Sequence, residues 1–146
     1  MTAKDNKATA RRLVNELWNN KNPAIIRELF APDCVYRAAD QELHGHKAIR
    51  SFYDTYVTAF PHLSVEIHNV IAESDRVAFT YTVRGQHTGK LRDIKPTGRQ
   101  VKVRGTSFMR FKNGLIAEET NLWNTLDLMQ QVGVVSEAVA GKMFAP

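Results

Sequence analysis

The chain has 146 residues, 43% of them hydrophobic and 24% charged, with a formal net charge of +5. That length fits one domain able to bury a core of its own. No apolar run approaches the ~18 residues that a bilayer span needs, and the polar start, Met1-Thr2-Ala3-Lys4, lacks a signal-peptide core, so a cytoplasmic protein is expected.

The first apolar stripe predicts a helix over residues 6–20. Ala10, Leu13, Val14, Leu17 and Trp18 recur at helical spacing. Asn22-Pro23 signals a new start, since Asn can cap and Pro suits a first helical position; a short helix over 23–30 follows. Residues 33–38 read as a strand. Gly45 precedes a third helix over 46–60, whose stripe is Ile49, Phe52, Tyr53, Tyr56, Val57 and Phe60, and Pro61 stops it.

Beyond Pro61 the period becomes two. Leu63, Val65 and Ile67 alternate with polar residues, then Val70 and Ala72 continue on the other parity, which predicts a bulge near His68 or Asn69. A turn at 73–75 leads to a strand carrying Val77, Phe79, Tyr81 and Val83. Residues 88–99 hold Gly89, Pro96 and Gly98 and form a long loop. A strand over 100–112 carries Val101, Val103, Met109 and Phe111 on one face. Asn113-Gly114 is a tight hairpin signal, because both residues tolerate positive φ. A last strand covers 115–123, Asn124 caps a short helix, and Gly133 is placed to end it. Residues 1–133 are therefore one domain, with 134–146 a C-terminal tail. Helices segregated from strands give an α+β class. Amphipathic helices covering one face of a curved antiparallel sheet make a cone with an internal pocket.

Several features admit a plain reading beside a functional one. Cys34 has no partner for an internal disulfide and is a small buried residue or a catalytic thiol. Lys90, Arg92, Lys95, Arg99, Lys102 and Arg104 form a basic segment that is a solvated hairpin or an attractor of acidic ligands. It has no interleaved aromatic residues to stack bases, so nucleic acid is not expected. His44 and His46 are one residue apart without a third ligand, and no metal is expected.

The polar residues of the last two strands are the candidates for chemistry. Glu119, Asn121 and Trp123 share a parity on the final strand, and Ser107 lies among apolar neighbours on the strand before it. If that face lines the cone, Glu119 is the acid aimed inward. An apolar cavity would raise its pKa and suit it to act as a base; otherwise it pairs with a basic residue such as Arg37, or faces solvent. Asn121 cannot act as a base but can donate a hydrogen bond to a carbonyl or enolate oxygen, as can Ser107. Phe52, Tyr53, Trp18, Trp123 and Met109 are either a wall for a flat apolar ligand or core. Asp127 is explained by its place in the first turn of a helix.

The element order, with Leu29-Phe30-Ala31-Pro32-Asp33, Gly45-His46-Lys47-Ala48-Ile49-Arg50-Ser51-Phe52-Tyr53, Arg110-Phe111-Lys112-Asn113-Gly114-Leu115-Ile116-Ala117-Glu118 and Gln130-Gln131-Val132-Gly133, resembles the nuclear transport factor 2-like fold, and within it the SnoaL-like polyketide cyclase group. The resemblance covers nearly all of residues 7–133. It implies a cofactor-free and metal-free aldol closure of a polyketide ester, driven by an acid on the last strand. By ungapped counting that acid falls on Asn121, and the histidine of the preceding strand on Ser107. In the related ketosteroid isomerases the donor acid also falls on Ser107, the general base near Ala38 and the donor tyrosine near Leu13. No expected acid or base is present at these positions.

Two readings follow. In one, the chain is a cyclase or isomerase acting on a hydrophobic carbonyl compound, with Glu119 as base and Asn121 and Ser107 as enolate donors. In the other, it is a non-catalytic binder of a small apolar ligand or an interaction module. Both expect a homodimer through the open sheet face, no membrane partner and no cofactor.

Overall fold

The computed structural model describes residues 1–39 and 41–136. Helix α1 spans Ala3–Leu13 and starts earlier than its apolar stripe does. Thr2 closes a capping box with Asp5, and this reciprocal cap draws the first turn forward from residue 6. The same rod continues as a π-helical segment over Val14–Asn19. Asn22 gives no side-chain cap; its carbonyl accepts from the Ile25 amide, and α2 is confined to Ile25–Leu29.

Strand β1 runs over Phe30–Ala38 and β2 over Gln41–His44. The short β2 is too brief for periodicity to show, so the residues before Gly45 read as loop in the sequence; they pair with β1 as a hairpin. Helix α3 covers Gly45–Ala59 and buries Ile49, Phe52, Tyr53 and Ala59. Strands β3 (Ser64–Glu73), β4 (Arg76–Gln86), β5 (Gln100–Lys112) and β6 (Leu115–Trp123) follow, and α4 spans Thr125–Gln131. The Asn124 side chain accepts from the Asp127 amide at the start of α4. The register between β3 and β4 shifts between Ile67 and Val70, at the predicted bulge. Asn113 and Gly114 both take positive φ in the β5–β6 turn.

The six strands are ordered β2-β1-β6-β5-β4-β3. Every pairing is antiparallel except β1 with β6, which is parallel. The result is an α+β cone of the nuclear transport factor 2-like type, a curved and mainly antiparallel sheet wrapped around the N-terminal helices. The inner face of the sheet carries Val77, Phe79, Tyr81, Val103, Met109, Phe111 and Ile116, all buried. All but Val103 pack in one cluster with Leu13, Leu17, Ile49 and Phe52 from the helices, while Val103 joins a second cluster with Phe60, Leu63 and Leu128. Cys34 is buried in this core and is not disulfide-bonded.

The outer face exposes three large apolar side chains, Ile71, Phe108 and Leu122, at 71%, 45% and 58%. Among the described residues no helix is long and apolar enough to cross a membrane. The expected tail, 134–146, lies mostly outside the described residues.

Candidate functional site

A cavity of about 110 Å³ opens inside the cone. Its walls come from α1 and the π-helical segment (Leu13, Val14, Trp18), α3 (Phe52, Tyr56), and the inward positions of β1, β4, β5 and β6. The size is below the ~150 Å³ of an apolar cavity that takes up benzene, so the interior has room for one ring of a ligand at most.

Aromatic residues make most of the wall. Phe52 lies 5.1 Å from Tyr36, 4.9 Å from Tyr56 and 6.0 Å from Trp123, ring centre to ring centre, and meets Trp18 edge-on at 6.3 Å. These tilted and edge-to-face contacts pack the rings against one another. The space itself depends on glycine. Gly105 stands between Tyr81 and Trp123 in the ladder, and a Cβ there would sit 2.3 Å from the Tyr81 ring and hydroxyl. Only a residue without a side chain lets Tyr81 lie across its strand neighbour towards β6.

Glu119, Asn121 and the phenols Tyr36, Tyr56 and Tyr81 face this apolar space. Glu119 is 4% exposed. Its Oε2 accepts from the Ser107 hydroxyl at 2.6 Å, and its Oε1 has no partner. Burial away from water pushes its carboxyl up to about 7, with the Ser107 hydrogen bond pulling the other way. Arg37 does not reach it, and pairs instead with Glu42 at 3.4 Å and Glu118 at 3.8 Å on the other side of the sheet. The alternation of β6 separates the two acids: Glu118 faces outward to Arg110 at 2.9 Å and Glu119 faces in.

The Asn121 amide joins two phenols. Its Oδ1 accepts from the Tyr81 hydroxyl, and its Nδ2 donates to the Tyr36 hydroxyl oxygen at 3.2 Å. Both phenols are held protonated. Burial raises the pKa of each, and the nearby Glu119 charge raises it further.

The residues proposed from sequence divide as follows. Glu119, Asn121, Trp18, Phe52 and Trp123 lie on the cavity wall. Ser107 is fully buried behind Glu119 and spends its hydroxyl on that carboxylate, so it does not stand at the wall as an oxyanion donor. Met109 is fully buried one step further along β5, opposite Glu119 and Val77, where the cone is filled by core. Tyr53 is turned from the cavity: it packs on Trp18 at 5.3 Å, with Arg50 over its ring. Sequence reasoning passed over Tyr36 and Tyr81 as functional groups. For Tyr81 the signal was present in the strand alternation, which sets it on one face with Val77 and Phe79. Asp127 caps α4, and among the described residues no cluster of three potential metal ligands occurs.

The model of the SnoaL-like polyketide cyclase family matches residues 8–132. The chain belongs to that family. No curated protein matches the sequence significantly. Among solved structures, AclR from Streptomyces galilaeus, provisionally named a hydroxylase, is 27% identical, with 92% of this chain and 100% of that one covered and a TM-score of 0.83. A protein from Jannaschia sp. CCS1, provisionally named a SnoaL-like polyketide cyclase, is 23% identical over 92% of this chain and 95% of that one, with a TM-score of 0.85. TsrD from Streptomyces laurentii is 18% identical over 92% and 99%, with a TM-score of 0.81. The last two share the fold at identities too low to carry more. The SnoaL-like chain described here thus has a small-molecule pocket typical of its family, with a carboxyl, an amide and three phenols set into it.

Proposed function

We propose that the protein is a cofactor-independent cyclase or isomerase that removes a proton beside a carbonyl group of a hydrophobic, polyketide-like substrate. Glu119 is the base. The observation that carries this reading is the unpartnered Oε1 of Glu119 at the wall of an aromatic cavity. A carboxyl titrating at about 7 matches the working range of a general base at neutral pH. The apolar wall suits a flat, weakly polar substrate, and the family's polyketide cyclase description agrees with that class. Ser107 holds Glu119 in position, and the Asn121 side of the cavity receives the enolate oxygen. Two copies pair through the outer sheet face, where Ile71, Phe108 and Leu122 are exposed.

The test is exchange of the activated methylene protons of an aryl β-keto ester in deuterated buffer, followed by proton NMR. Exchange above the buffer rate is expected, rising with pH around 7, and Glu119→Gln should reduce it by ~10²-fold or more. Equal rates for the two proteins would reject Glu119 as the base. Binding of the ester without exchange would make the protein a non-catalytic pocket instead.

A further inference from the structure

The polar groups opposite Glu119 form a chain with a direction. Tyr81 donates to Asn121 Oδ1, and Asn121 Nδ2 donates to Tyr36. The amide thus turns its oxygen to Tyr81 and its nitrogen to Tyr36. The Tyr36 oxygen is therefore an acceptor within the chain. Its own proton has no acceptor among the described residues. Each donor in such a chain polarises the next, so the hydroxyl at the end is a stronger donor than an isolated phenol.

The backbone brings this end of the chain to the base. Tyr36 lies directly across the parallel β1–β6 pair from Glu119, and Ala38 across from Asn121. Tyr36 and Glu119 are thus side by side on one wall of the cavity. Gly105 makes the geometry possible from the other end, since it leaves the space that the Tyr81 ring occupies.

We infer that Tyr36 is an oxyanion-binding donor at the end of a Tyr81–Asn121–Tyr36 relay, and that the cavity accordingly takes ligands presenting an enolate or phenolate oxygen on a flat apolar body. The inference rests on Glu119 being the base. When Glu119 takes the proton next to a carbonyl, the C–H electron pair becomes the enolate and its charge moves to oxygen. The acid is then neutral, and the new oxyanion accepts a hydrogen bond from Tyr36. The proton stays on Tyr36, whose burial among aromatic rings disfavours the phenolate. Tyr36 touches the ligand; Tyr81 and Gly105 are positioning residues that act through Asn121.

The test uses 4-nitrophenol as the probe, because its phenol and phenolate absorb at different wavelengths, with 4-nitroanisole as a control of the same shape that cannot ionise. Glu119→Gln stands in for the protonated base after proton transfer. This variant should bind 4-nitrophenol as the phenolate, at a pH where free probe is largely protonated, and bind 4-nitroanisole more weakly. Adding Tyr36→Phe should weaken the phenolate by on the order of tenfold or more, as for a hydrogen bond to a charged group, and return its spectrum towards that of the free probe. Adding Tyr81→Phe should cost only about two- to fivefold, since it removes the polarisation but leaves the donor. Anisole affinity should not change in either, which separates a lost donor from a damaged cavity. Unchanged phenolate affinity after Tyr36→Phe, with anisole still bound, would overturn the relay and leave the base reading standing. A larger loss from Tyr81→Phe than from Tyr36→Phe would mean that the chain runs the other way, and would also overturn it. Failure of both probes to bind would overturn the relay together with the small-molecule reading of the cavity.

Discussion

Glu119→Gln should change how stability depends on pH, in a way set by burial alone. Glu119 is the one buried carboxyl among the described residues. Folding raises it from an ordinary value of 4.5 to about 7. Between those values the folded state binds a proton that the unfolded state has released, so stability falls as pH rises. Below pH 4.5 both states are protonated and the full stability is present. It is lost at about 1.4 kcal/mol per pH unit up to the folded value, and the loss levels off at about 3 kcal/mol. The Gln variant keeps the Ser107 hydrogen bond without the charge and should lack this component. The assay is urea denaturation of both proteins from pH 4 to pH 9, with the difference between them plotted against pH. Histidines and surface acids contribute to each curve and cancel in the difference. At high pH the variant should be the more stable by about 3 kcal/mol. Parallel curves across the range would refute the idea that Glu119 is buried without a compensating charge.

Ser107→Ala removes the hydrogen bond that favours the ionised carboxylate, so Glu119 should titrate still higher than about 7. The rising limb of the exchange rate should move to higher pH, and the fold should lose about 1–3 kcal/mol in urea denaturation for the abandoned carboxylate oxygen. Gly105→Ala places a Cβ 2.3 Å from the Tyr81 hydroxyl. It should cost about 1–3 kcal/mol of stability and reproduce the Tyr81→Phe effect on 4-nitrophenolate binding, measured by absorbance titration in the Glu119→Gln background. Leu122→Lys on the outer sheet face should leave the cavity intact and give a monomer by sedimentation velocity. A dimer of unchanged affinity would rule out pairing through that face.

The elements that the sequence made legible are those with a strong period or a strong terminal signal. The β4, β5 and β6 ladder follows from clean alternation and from Asn113-Gly114, and the parity change after Ile67 located the bulge. Local reasoning failed where distant contacts decide. Nothing in residues 14–19 announces that the first helix widens into a π-helical segment, and β2 is four residues long, below the reach of any period. In the site, strand parity put Glu119 and Asn121 on the inner face and separated Glu119 from Glu118. It could not say that Ser107 would be consumed by Glu119, because that depends on how far each side chain reaches across the ladder. Tyr36 was invisible as a functional group for a related reason. Its significance comes from β6, through a hydrogen bond between residues 85 positions apart.

That separation ties completion of the cavity wall to a late event in folding. The β1–β6 pairing closes the longest loop in the sheet, and such closures come late because the entropy they cost is repaid only when the whole ladder zips. A chain whose final strand has not docked has the aromatic helices and the phenols of β1 and β4 but neither the carboxyl nor the amide in place. The finished cavity is consequently a reporter of complete assembly: a chain stalled before its final strand docks lacks the polar groups of β6 on the cavity wall.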